Sequence, residues 1–60
     1  MSAPTKKSLG LRIRLSRVER GLRQRELADL VGVPHQRISQ WELALRRPTA
    51  RQLDALRKVL

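Results

Sequence analysis

One glycine limits what this chain can fold into more than any other residue. Gly32 stands between two short apolar-patterned runs in residues 24–43, QRELADLVGVPHQRISQWEL, where the backbone must turn to lay one run across the other. Leu27, Ala28 and Val31 share one face of the first run at i, i+1 and i+4, and Ile38 and Trp41 share one face of the second at i and i+3. Two helices crossing at about 90 to 120° through a three- or four-residue turn bury only a few positions each, and these are the positions filled. Ala28 is small where the helices approach most closely. Gly32 takes a left-handed conformation without the cost of a Cβ, and Val33 plugs the corner. Pro34 suits the opening of the second helix, where its fixed φ is favourable and its missing N–H is not needed. Any small αα-hairpin with a glycine turn is the plain alternative, but it has no need for Ala, Gly and a corner Val at these offsets.

The pattern is that of a helix-turn-helix, and the charge agrees with it. Fourteen Lys and Arg against five Asp and Glu give a formal charge of +9 on 60 residues. Such a chain is drawn to polyanions, nucleic acid first and anionic membrane surface second. With no cysteine there is no disulfide, thiolate metal site or cysteine nucleophile, and a single histidine cannot build a zinc site, so no cofactor is expected. Residues 30–34, the longest uncharged stretch, are too few to span a membrane, and the N-terminus lacks the apolar core of a signal peptide. By elimination, a cytoplasmic location is expected. Sixty residues make one domain near the lower limit of independent stability. With one Trp and no Phe or Tyr, its core must come from Leu, Ile and Val.

Residues 1–8, MSAPTKKS, carry no apolar periodicity and are expected to form a flexible basic arm, with Ser8 as N-cap of the first helix. The domain proper is expected over residues 9–60. Its helices are predicted over 9–20, stopped by Gly21, over 23–31, over 34–43, and from Thr49 to the end. Thr49 and Gln52 have the spacing of a capping box, and Leu53, Leu56 and Leu60 form an apolar stripe at i, i+3 and i+7. No strand signal, internal repeat or low-complexity tract is present. The fold class is all-α, with four helices.

From residue 9 to residue 60, through LGLRIRLSR, GLRQRELADLVGVP, ISQWE and RRPT, the chain resembles the phage-repressor (Cro/C1, or XRE) helix-turn-helix family. The resemblance implies a compact, lambda-repressor-like domain that binds double-stranded DNA. It also implies that Arg17, late in the first helix, pairs with Glu42 at the end of the third. An arginine fork can engage a partly buried carboxylate bidentately, whereas an ordinary surface pair is the plainer reading. Gln24 matches the glutamine that meets a DNA phosphate at the start of the second helix, where a helix N-terminus already favours an anion. The family usually has a Ser or Thr cap before it. Arg23 loses that cap, worth about 1 kcal/mol, but places a cation beside the expected phosphate.

His35, Gln36, Ser39 and Gln40 lie on or near the face of the third helix opposite Ile38 and Trp41, and are the candidate base-reading residues. Glutamine can donate and accept across the N6/N7 edge of adenine, serine suits several base edges, and histidine can donate to a guanine N7. A solvated polar face is the plainer alternative. Arg37, Arg46 and Arg47, with Arg23 and Gln24, are the candidate phosphate contacts. Arg12, Arg14, Arg20 and Arg25 are expected in solvent.

Several positions depart from the family. Ser16 stands where an aliphatic residue is usual, and Arg57 where a small one is usual. Leu11, Leu15 and Val18 form a second apolar stripe on the first helix, and Leu43, Ala44 and Leu45 replace a polar-Gly-polar turn. Either these residues fold back into a rearranged core, or Leu11, Leu15, Val18, Leu43 and Leu45 form a protein-contact surface, for a homodimer or a second protein. Dimers of such domains read inverted half-sites about 34 Å apart, as a repressor does. The same domain type forms the DNA-binding part of antitoxins, for which the second protein is a toxin. A cationic membrane-active peptide would explain the charge but not Gly32, Ala28 or the Arg17 and Glu42 pair. No paired carboxylates, nucleophile with base or phosphate-cradling glycine loop point to an enzyme.

Overall fold

Four α-helices follow one another in the computed structural model, which describes residues 8–60: α1 (Leu9–Glu19), α2 (Gln24–Val31), α3 (His35–Glu42) and α4 (Ala50–Val59). There is no strand among the described residues. The arm expected at the N-terminus falls, apart from Ser8, outside them.

The helix ends shift by a residue or so from their expected places. Ser8 occupies the N-cap of α1, but its side chain makes no capping bond. Arg23 and Pro34 are caps rather than first residues of α2 and α3. At Arg23 half of a capping box survives: its backbone N–H donates to Glu26 Oε1 at 2.7 Å. The reciprocal bond is not made, because a guanidinium has no acceptor. Thr49 and Gln52 make the full box, with Gln52 N–H donating to Thr49 Oγ1 at 3.1 Å and Thr49 N–H to Gln52 Oε1 at 2.9 Å.

The glycine turn has the geometry that its position requires. Gly32 lies at φ 87°, and the N–H groups of Gly32 and Val33 both donate to the Ala28 carbonyl, at 2.7 and 3.0 Å. α1 and α3 end in a second pattern, the Schellman motif. After α1, Gly21 and Leu22 donate to the carbonyls of Val18 and Arg17. After α3, Ala44 and Leu45 donate to those of Trp41 and Gln40. The left-handed residue is Gly21 in the first and Ala44 in the second, at φ 71° and 62°. Ala44 is the only non-glycine residue with positive φ among the described residues.

Ile13, Leu27, Ala28, Ile38, Trp41 and Leu56 form the buried core, with Leu9, Leu22, Val31, Val33, Leu53, Val59 and Leu60 packed against it. α2 packs on α3 and α4, and α1 packs on α3. That last contact depends on Gly10, which is buried in α1. A Cβ there would meet the backbone carbonyls of Trp41 and Glu42, the second at 2.7 Å. The indole N–H of Trp41 is buried and finds no acceptor among the described residues, a cost of about 1–3 kcal/mol carried by the core.

The leucines that depart from the family do not fold back into this core. Exposure runs from 39% at Leu11, through Leu15, Val18 and Leu43, to 72% at Leu45. Leu30 on α2 is also exposed, a residue that the sequence patterning did not single out. None of the four helices is long and apolar enough to cross a membrane.

Candidate nucleic-acid interface

A buried carboxylate fixes the frame on which the polar face is mounted. Glu42, with a side chain only 4% exposed, accepts from Arg17 Nε at 2.6 Å on Oε2 and from Arg17 Nη2 at 3.1 Å on Oε1. Arg17 Nη1 also donates to the Leu22 carbonyl at 2.9 Å, so its guanidinium ties α1 both to α3 and to the turn before α2. Charge-assisted, bidentate geometry of this kind is stronger than a neutral hydrogen bond and sets orientation.

Gln24 joins the same network. Its Nε2 donates to Glu42 Oε1 at 3.1 Å, a tie that the sequence reading missed because the family pattern pointed Gln24 only outward. Glu42 thereby links α1, α2 and α3. One amide N–H and the amide oxygen of Gln24 remain for other partners. Arg14, Arg17, Gln24, Ser39, Glu42 and Leu43 surround a small recess at this junction.

Ile38 and Trp41 hold α3 against the core, and the opposite face is polar. Gln36 is exposed at its middle, while His35, Ser39 and Gln40 flank it half-buried, Ser39 at the edge of the Gln24 recess. None of these four side chains makes a hydrogen bond among the described residues. Arg37 is half-buried at the margin of the same face. Arg23 is exposed at the cap of α2, and Arg46 and Arg47 are exposed in the connection between α3 and α4. The arginines expected in solvent, Arg12, Arg14, Arg20 and Arg25, are exposed, and Arg20 also donates to the Leu60 carbonyl.

The arrangement presents adaptable donors and acceptors on one helix, flanked by cations, which suits a groove lined by base edges and walled by phosphates. No group of three or more His, Cys, Asp or Glu among the described residues is placed to hold a metal ion.

Comparison with known families agrees with this geometry. A Helix-turn-helix family model matches residues 13–60, most of the chain, and the protein belongs to that family, in its Cro/C1 (XRE) branch. Members are DNA-binding regulators, which is the class this protein joins. No curated protein and no solved structure matches the chain.

Proposed function

We propose that the protein is a sequence-specific transcriptional repressor, acting in the cytoplasm, that binds an inverted-repeat operator in double-stranded DNA as a homodimer. The observation that carries this reading is the solvent-facing polar face of α3, centred on Gln36 and backed by the buried Ile38 and Trp41. In this reading α3 enters the major groove, where His35, Gln36, Ser39 and Gln40 read base edges. Arg23, Gln24, Arg37, Arg46 and Arg47 contact phosphates and fix the register. The bond from Gln24 to Glu42 supports its role by holding the amide in one orientation before DNA arrives. The exposed row of Leu11, Leu15 and Val18, with Leu43 and Leu45 in the turn after α3, serves as the dimer contact.

Selection of bound sites from a random duplex pool, with Gln36→Ala run in parallel, tests the proposal. An enriched inverted repeat whose preference relaxes at one base pair in the variant supports it. Salt-sensitive binding with no enriched sequence would remove it.

The same exposed leucines favour a second reading, an antitoxin that binds a toxin and represses its own operon. Purification of the protein with its neighbouring gene product separates the two: an antitoxin retains that partner, whereas a repressor is dimeric on its own.

A further inference from the structure

α1 and α4 leave between them a cleft of about 340 Å³. Its floor is apolar, from Leu9, Ile13, Leu53 and Leu56, and its polar side chains are Arg12, Ser16 and Arg57. Two of the departures from the family meet here. Ser16 lines the cleft with a short side chain, and Arg57 brings a cation to an apolar groove. At one end the Arg20 guanidinium bonds to the Leu60 carbonyl and ties α1 to α4.

The chemistry of the lining selects the occupant. Arg12 and Arg57 are donors only, and neither has a carboxylate partner among the described residues, where the ion pairs are Arg17 with Glu42 and Lys58 with Asp54. A peptide laid in the cleft would bring its own N–H donors and find one side-chain acceptor, the Ser16 hydroxyl. A second copy already has a proposed contact face, at Leu11, Leu15, Val18, Leu43 and Leu45, away from this cleft. A carboxylate on an apolar chain has the opposite character, with acceptors only at its head and no polar group along its tail.

We propose that this cleft binds such an anionic amphiphile, with its carboxylate between Arg12 and Arg57 and its chain along Leu9, Ile13, Leu53 and Leu56. The volume falls within the range of small-molecule sites, about 300–1,000 Å³, and an apolar wall with a few placed polar groups is their usual composition. The site is separate from the polar face of α3 and does not depend on DNA binding.

Decanoate, titrated below its micellar concentration into the intact chain, is the probe, followed by methyl NMR and by thermal unfolding. The expected result is saturable one-to-one binding that shifts the methyl signals of Leu9, Ile13, Leu53 and Leu56 and leaves those of Leu43 and Leu45 in place. Decanol and acetate should bind at least tenfold more weakly. Arg57→Ala should weaken decanoate about tenfold, and Ser16→Leu, which fills the cleft, should abolish binding while the protein stays folded. Equal shifts at exposed and cleft leucines would reveal general attraction to a cationic surface and overturn the assignment. So would decanol binding as tightly as decanoate, or decanoate binding indifferent to Ser16→Leu. Binding to phosphatidylglycerol vesicles without binding of decanoate would overturn it as well.

Discussion

Replacing Ala44 by glycine should make this protein more stable, although it removes a methyl group and adds no contact. The reason lies in the matched ends of α1 and α3. Both close with the same pair of backbone bonds: Gly21 and Leu22 reach their carbonyls at 2.9 and 3.1 Å, Ala44 and Leu45 at 3.1 and 2.8 Å. Both hold the residue after the cap in the left-handed region. An L-residue with a Cβ costs about 1–2 kcal/mol there. Glycine avoids that cost, while its greater freedom in the unfolded chain returns roughly 0.5–1 kcal/mol. The balance favours Ala44→Gly by about 1 kcal/mol, a rise in Tm of about 4–8 °C for a domain of this size. Thermal unfolding followed by far-UV circular dichroism measures it. Gly21→Ala is the mirror experiment, because a Cβ at Gly21 meets nothing within 4 Å and the substitution reports the backbone cost alone. The two changes should be of similar size and opposite sign. If Gly21→Ala lowers Tm and Ala44→Gly leaves it where it was, Ala44 is not strained and the reasoning fails.

Gly10→Ala should destabilise despite the better helix propensity of alanine, worth about 1 kcal/mol. Its Cβ would press on the backbone of Trp41 and Glu42, which cannot rotate aside, and a net loss of about 1–3 kcal/mol is expected; a Tm equal to or above the parent's would contradict the close approach of α1 to α3. Glu42→Ala leaves a largely buried guanidinium at Arg17 without its carboxylate, a loss of about 3–5 kcal/mol. For a domain this small that is much of its stability, so the helical signal should melt at far lower temperature, and an unchanged melting curve would dismiss the network as structural cement. Arg46→Ala should weaken binding equally to operator and random DNA and flatten the salt dependence by about one ion; a loss confined to one base pair would make Arg46 a base contact instead.

The legible parts of the fold were those fixed by local chemistry. The turn at Gly32, the capping box at Thr49 and the apolar positions at Leu27, Ala28, Ile38, Trp41 and Leu56 each follow from spacing within a few residues. Tertiary requirements were harder to read. Gly10 looks like a weak helix residue until Trp41 and Glu42 are brought against it from 31 and 32 residues further along the chain. A glycine in the first turn of a helix, where no chain reversal requires it, was the available signal, since it costs up to about 1 kcal/mol unless something demands the space. Ala44 was visible as a departure from a family glycine, but its meaning is a dihedral angle, not a loss of polarity.

The network at Glu42 joins the fold of this small domain to its proposed recognition surface. A 60-residue chain buries only a small core and is correspondingly marginal. One carboxylate held by Arg17 and Gln24 orients α1, α2 and α3 together. Gln24 is also the proposed phosphate contact at the N-terminus of α2, so in that proposal the bond that steadies the fold also orients the amide toward DNA. Glu42→Gln separates these roles. It keeps the shape and one acceptor but removes the charge, so the protein should stay folded at low temperature while Arg17 and Gln24 lose their fixed geometry. Affinity should then fall for operator and random DNA alike, because the proposed phosphate contact has loosened and the proposed base-reading face of α3 is untouched. A variant that melts lower yet binds both DNAs as the parent does would show that Glu42 serves the fold alone.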